Sequence, residues 1–254
     1  MRAFLILAAN TWRELLRTRF MPVVVLFGGV FVYMSLLLGA LAGDVELRVI
    51  LDLGMSVVEV MTCGAAAYCA ATGLIQEIET KTLYLVLTRP VPRHAYLLGR
   101  YAGAAAAAAS AALLMRLLEG LLLLLKGWTP GWELAAALWG VVLTLVVTAA
   151  AATLLALIST SVLSAMTMTG IVWVLGHFVP EIRFLAHRSQ AAAAKLLLPA
   201  VYLLPDFSRL NFRDTHHLPG TALSGALAWG PLYAAAYAAV CLGLTAAMFR
   251  RKEF

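Results

Sequence analysis

The sequence predicts an all-α integral membrane protein with six transmembrane helices. Of its 254 residues, 63% are hydrophobic and only 13% are charged, whereas soluble domains have roughly 45–50% apolar and 25% charged residues. The apolar residues also form continuous runs of about 20 residues, which is the length that a helix needs to cross a bilayer. We therefore expect one membrane domain over residues 1–254, without a soluble domain of its own.

Six apolar runs are long enough to span. They cover residues 20–42, 54–75, 97–125, 132–158, 162–179 and 226–249. The fourth and fifth are separated because Trp132–Pro180 contains one charged residue, Glu133, and as a single helix it would be roughly 73 Å long. That is more than twice the thickness of the hydrocarbon core. The Ser- and Thr-rich stretch 159–164 is the expected corner.

Residues 1–19 precede the first span and have the pattern of an amphipathic helix. An apolar stripe that includes Leu5, Trp12 and Leu16 is opposed by polar residues. The charged residues of the polar side are Arg13, Glu14 and Arg17. This pattern is typical of a helix that lies in the membrane interface, so we expect an N-terminal elbow helix there.

A second unusual segment, residues 180–225, lies between the fifth and sixth spans. Its apolar stretch 191–204 is interrupted by Lys195 and Pro199, which makes it too short and too broken to cross a bilayer. We expect a re-entrant or interfacial structure on the outer side. The adjacent His216 and His217 do not make a metal site by spacing, because no third ligand is fixed. No metal is therefore predicted.

The polar segment 76–96 interrupts the apolar first half of the chain. Apolar residues recur in it at helical spacing, and Glu77 precedes Lys81 by four residues, the favourable order for an ion pair on a helix. Pro90 is expected to end this helix, and Pro92 can open the next one. Such a helix followed by a rigid turn can present a firm surface to a soluble partner.

The distribution of basic residues predicts the topology. With six spans, both termini and residues 76–96 share one side of the membrane. Eleven Lys and Arg residues lie on that side: Arg2, Arg13, Arg17, Arg19, Lys81, Arg89, Arg93, Arg100, Arg250, Arg251 and Lys252. The short loops on the other side contribute Arg48, Arg116 and Lys126. By the positive-inside rule, the termini are cytoplasmic. The excess of basic residues is thus explained by topology, and no nucleic-acid partner is expected.

The residues of segment 76–96 also resemble the first cytoplasmic loop of ABC-2 type transporter permeases. The residues that carry the resemblance are Glu77, Glu79, Lys81, Thr82, Leu83, Val86, Leu87, Thr88, Arg89, Pro90, Val91, Arg93, Tyr96, Leu97, Leu98 and Gly99. Lys81 and Arg100 depart from the family pattern, in which glycine and lysine are common at these positions. The stretch 204–214, LPDFSRLNFRD, is similar to the subgroup that includes the permease for nitrous-oxide-reductase maturation.

The resemblance implies a function and a set of partners. Permeases of this family form homodimers or related heterodimers in the bacterial plasma (inner) membrane, and each copy pairs with a cytoplasmic ABC ATPase. The implied ATPase-coupling residues are Glu77, Glu79, Lys81, Thr82, Leu83, Leu87, Arg89, Pro90 and Arg93, with Arg13, Glu14 and Arg17 of the elbow helix as a second contact. The chain has no GxxxxGK[ST] phosphate loop. ATP and Mg are therefore expected on two copies of the partner, and no cofactor on this chain.

Three charged residues lie within the predicted spans: Glu59, Arg116 and Glu119. Charges in a membrane are costly and usually face a partner or a cavity, so these residues form either a structural ion pair or an outer vestibule. The sequence leaves open whether the chain moves a solute or transmits force to an extracytoplasmic partner through residues 180–225. A non-transporting scaffold and an intramembrane enzyme are the alternatives, although the spans contain few groups suited to catalysis.

Overall fold

The chain is described by a computed structural model that covers residues 2–41, 43, 46–80, 92–127, 131–188, 198–199, 201–212 and 220–251. Every regular element in these ranges is helical. The helices are α1 (Arg2–Arg17), α2 (Phe20–Leu41), α3 (Glu46–Glu79), α4 (Arg93–Leu125), α5 (Trp132–Ile158), α6 (Val162–His177), α7 (Val179–Arg188) and α8 (Gly220–Arg251), with a 3-10 turn at Phe207–Leu210. The predicted all-α class is confirmed for the described part of the chain.

Several of these helices could cross a membrane. Helices α2, α3, α4, α5 and α8 are each long and apolar enough, and α6 with α7 makes a sixth if this bent pair counts as one span. Large apolar side chains of α2, such as Leu26, Phe27 and Phe31, are about half exposed or more, as expected of a surface that contacts lipid. The prediction of a multi-helix membrane protein is confirmed at this level. The number of crossings and the side of the termini stay predictions.

Helix α3 is longer than the predicted second span. It begins at Glu46 and ends at Glu79, whereas the apolar run covers 54–75. The first turns of α3 are stabilised by packing, because Ile50 is fully buried between Leu36 of α2 and Leu123 of α4. The acidic stretch before residue 54 therefore belongs largely to the helix.

The predicted fifth span, residues 162–179, contains a bend. The axes of α6 and α7 differ by 61°, and α6 with its 16 residues measures only about 24 Å, less than a hydrocarbon core. Pro180 explains the break, because it lacks the N–H that would bond to the Gly176 carbonyl and its ring clashes with that carbonyl. The chain therefore turns away at Phe178.

Helix α5 is the centre of the bundle and packs against α3, α4, α6 and α8. Its buried surface is formed mainly by small residues, including the run 149–152, which lets neighbouring helices approach closely. Two of its buried hydroxyl groups bond within the helix, as Thr148 donates to the Thr144 carbonyl at 2.8 Å and Thr153 to the Ala150 carbonyl at 2.7 Å. The core around α5 is therefore closely packed.

The amphipathic helix α1 packs along the first half of α4. The contact needs glycine at Gly99 and Gly103, since a Cβ at Gly103 would lie 2.5 Å from the Thr11 Cβ and 2.8 Å from the Ala8 carbonyl oxygen. Thr11 is buried there, whereas Leu5 on the predicted apolar stripe is 59% exposed. One face of helix α1 thus packs against the bundle, and exposed apolar residues on another face can contact the membrane interface.

This packing predicts that Gly103→Ala weakens the attachment of α1. Alanine is about 1 kcal/mol better than glycine inside a helix, but the forced approach to the Ala8 backbone should cost more, as overpacking costs about 1–3 kcal/mol. We expect lower thermal stability in detergent for Gly103→Ala. The control is Gly64→Ala, because a Cβ at Gly64 meets nothing within 4 Å and this variant should be at least as stable as the parent. Equal stability of the two variants would contradict the described contact.

Candidate functional site

The two ends of the predicted coupling segment lie next to each other. Glu77 and Glu79 form the last turn of α3, and Arg93 is the first residue of α4. The Tyr96 hydroxyl donates to the Glu77 carboxylate and thereby ties the two ends together. The predicted site residues between them lie outside the described residues: Lys81, Thr82, Leu83, Leu87, Arg89 and Pro90. The described part of α3 is helical through Glu79.

Arg100 of α4 is the centre of a polar cluster at this end of the bundle. Its guanidinium group contacts the Glu77 carboxylate at 2.5 Å and the Glu14 carboxylate at 3.0 Å. It also donates to the Gly73 carbonyl oxygen at 3.0 Å and to the Thr11 hydroxyl at 3.2 Å. One side chain therefore joins α1, α3 and α4. We call Arg100, Glu77, Glu14 and Tyr96 the Arg100 cluster.

The electrostatics of this cluster follow from its position. Glu77 lies in the last turn of α3, where the partial negative charge of the helix end disfavours a carboxylate. The Arg100 side chain is 15% exposed and the Glu77 side chain 22%, so their attraction is less screened by water than that of a surface pair. Arg100 thereby offsets part of the cost of placing the Glu77 carboxylate at a half-buried helix end.

Of the three candidates on the elbow helix, the structure brings Glu14 into the cluster. The Glu14 side chain is 64% exposed, and Arg13 and Arg17 are exposed on the same helix. The sequence marked Arg100 as one of the basic residues on the side of the termini and as a departure from a family pattern. A signal was present, because Tyr96 and Arg100 are four residues apart and so share one face of α4, but nothing in the spacing identified Glu77 and Glu14 as their partners.

Farther along α3 from the Arg100 cluster, Glu59 pairs with His177, the last residue of α6. The His177 Nε2 lies 2.9 Å from a Glu59 carboxylate oxygen, and Nδ1 lies 2.9 Å from the Trp173 carbonyl oxygen. Because a carbonyl oxygen can only accept, Nδ1 is the donor in its contact with Trp173. The Glu59–His177 contact holds α6 to α3.

The other two intramembrane charges form a separate pair on α4. Arg116 bonds to Glu119 one turn further along the helix, and both side chains are almost completely buried. The Glu119 carboxylate also packs directly against Gly54 of α3, where a Cβ would lie 2.7 Å from the Glu119 Cδ. Glycine at this position makes room for the carboxylate. The three predicted residues therefore take part in two helix contacts, α3 with α6 and α3 with α4.

A further polar cluster, not predicted from sequence, surrounds Asp206. This carboxylate is 5% exposed and accepts from Arg183 of α7 at 3.3 Å, Arg209 at 3.1 Å and Ser208 at 2.5 Å. The Asp206 backbone N–H donates to the Tyr233 hydroxyl of α8 at 2.7 Å. Asp206 therefore ties α7, α8 and the 3-10 turn together. Its only sequence signal was its place in the 204–214 motif.

Among the described residues, no group of three or more His, Cys, Asp or Glu side chains lies close enough to hold a metal ion. His216 and His217 lie outside the described residues. No protein-family model matches the chain. A comparison with curated proteins finds no significant match. The resemblance to ABC-2 type permeases therefore stays a prediction from the sequence patterns in segments 76–100 and 204–214.

The Arg100 cluster predicts a graded response to substitution. Arg100→Gln leaves Glu77 partly buried without its cation, and we expect a loss of about 2 kcal/mol in unfolding free energy, somewhat less than for a fully buried pair. Arg100→Lys keeps the charge but loses the forked geometry that reaches three helices, so its loss should be intermediate.

Chemical unfolding in detergent measures these losses. The matched control is Arg19→Gln, which removes an exposed arginine and should change stability by less than about 0.5 kcal/mol. If Arg100→Gln and Arg19→Gln were equally stable, the cluster would have no structural importance.

The Glu59–His177 pair predicts a rescue. His177→Phe leaves the Glu59 carboxyl group beside an apolar ring, and we expect a loss of about 2 kcal/mol. In that background, Glu59→Leu should recover part of the lost stability, because it removes a carboxyl group that has lost its contact with His177. In the parent protein, the same Glu59→Leu change should be destabilising. A double-mutant cycle measures this coupling, and additive losses would show that the two side chains do not interact.

Proposed function

We propose that the chain is the permease subunit of an ATP-driven ABC exporter or of an ABC-type mechanotransmitter. In this proposal, residues 76–96 are a cytoplasmic coupling segment that receives the motion of a separate ABC ATPase. The observation that best supports it is the Arg100 cluster, which lies where that segment leaves α3 and rejoins α4. A segment anchored at both ends to three helices can pass a displacement to the bundle, whereas a slack loop would absorb it.

The partners follow from the same proposal. Two copies of the ATPase would bind ATP and Mg, and a second permease copy would complete the membrane unit. Helix α1 would be a second contact with the ATPase through the exposed Arg13 and Arg17. The Asp206 cluster, on the opposite end of the bundle, would be the output side that faces a solute or an extracytoplasmic partner. The proposed location is the bacterial inner membrane, with both termini in the cytoplasm.

The decisive experiment is co-expression of the full chain with the ABC ATPases of its source organism, followed by purification in detergent. We expect one ATPase to co-purify, because the family resemblance implies that basic residues of the coupling segment contact it. The Arg89→Glu/Arg93→Glu double variant should lose that ATPase by at least tenfold. The control is Arg188→Glu, which reverses an exposed charge on α7, away from the coupling segment, and should retain it.

The function of the Arg100 cluster is tested separately in the same complex. Arg100→Gln should still bind the ATPase, since the binding residues are unchanged, but the permease should stimulate ATP hydrolysis several-fold less. Binding without any effect on hydrolysis in the parent protein would favour a non-transporting scaffold. If no ATPase bound, the proposal would be wrong, and an intramembrane enzyme would become the leading alternative.

A further inference from the structure

An apolar groove runs along the surface between the start of α4 and the second half of α8. It has a volume of about 410 Å³, and its floor includes Leu97, Ala238 and Leu242, which are all buried. The groove exists because α8 carries short residues at Ala239, Gly243 and Ala246, while both helices pack against α5 beneath it. It opens sideways, on a surface formed by two helices that are long and apolar enough to span a membrane.

We propose that this groove holds one acyl chain of an anionic phospholipid, from the leaflet on the side of the chain termini. The length of the groove supports this. Its lining on α8 extends from Ala235 to Ala246, which is about 16 Å at 1.5 Å per residue. Half of a hydrocarbon core is about 15 Å thick. The groove is therefore as deep as one leaflet.

The groove is wide enough for an acyl chain. A volume of about 410 Å³ over about 16 Å gives a mean cross-section of about 25 Å², which can hold a single methylene chain that lies along α8.

Positive charge is placed where the lipid phosphate would lie. His94 lines the exposed mouth of the groove. Arg250 is four residues beyond Ala246, which puts it on the same face of α8, and both Arg250 and Arg251 are exposed. None of the described lining residues is acidic. A phosphate diester at this depth would lie near the exposed Arg250 and Arg251, which favours an anionic headgroup over a zwitterionic one.

The inference depends on the chain being embedded in a membrane, and it is independent of coupling to an ATPase. It is tested on the purified full chain in mild detergent by native mass spectrometry. Phosphatidylglycerol and phosphatidylcholine with identical acyl chains are added at equal concentration. We expect one phosphatidylglycerol to remain bound at collision energies that strip the others, with at least fivefold preference over phosphatidylcholine.

Variants separate the two parts of the site. Ala239→Leu/Gly243→Leu fills the groove and should abolish retention of the lipid, whereas Ala236→Leu/Ala247→Leu places the same bulk on exposed positions of α8 outside the groove and should not. His94→Gln/Arg250→Gln should keep the acyl chain but lose most of the preference for phosphatidylglycerol.

Retention of the lipid by the groove-filling variant, Ala239→Leu/Gly243→Leu, would overturn the proposal. A filled variant that lost dimers while keeping lipid would also overturn it, in favour of a protein occupant.

A second measurement needs no variant. A phosphatidylglycerol that carries a photoreactive diazirine in its acyl chain is incorporated with the parent protein into nanodiscs and irradiated. Cross-linked peptides should be concentrated in residues 94–98 and 235–246. Equal labelling of all exposed helix faces, including that of α2, would show that no acyl chain has a fixed position and would overturn the proposal.

Discussion

The arrangement of α1, α3 and α4 relative to one another depends on the charge of Arg100. Glu77 and Glu14 lie on different helices, and their two carboxylates would repel each other at close distance. The guanidinium group between them removes that repulsion and adds a bond to the Gly73 carbonyl. Because the planar group offers several donors in fixed directions, it can fix the angle between three helices, which a lysine could not do.

Two groups of polar contacts are separated by a closely packed region of small residues. One is the Arg100 cluster, and the other comprises the Asp206 cluster and the Glu59–His177 pair. Between them, α5 and its neighbours meet through alanines and through threonines whose hydroxyl groups bond within their own helix. A core of small, rotamer-free side chains is closely packed and cannot deform gradually. A displacement at one end would therefore move helices as rigid bodies and would be felt at the polar contacts of the other end.

The sequence predicted the helical class and most long helices because a bilayer leaves few choices. Backbone polar groups cannot stay unpaired in lipid, so a long apolar run is a helix. Contacts between helices were less predictable. The pairing of Glu59 with His177 joins residues 118 positions apart, and spacing within one helix carries no information about it. Pro180 is a visible cause of the bend after His177. Whether the helix kinks or ends there depends on how the residues after it pack, which the sequence does not show.

The contacts of α1 show which force holds the elbow helix. The Glu14–Arg100 pair is more than half exposed on the Glu14 side, and such pairs contribute about 0–1 kcal/mol. By contrast, the close approach at Gly99 and Gly103 brings Leu7, Ala8 and Thr11 against α4 and buries Thr11. Packing therefore attaches α1, and the ion pair sets its register against α3. A helix held in this way can follow α4 as it moves, yet release Glu14 at little cost when the end of α3 moves separately.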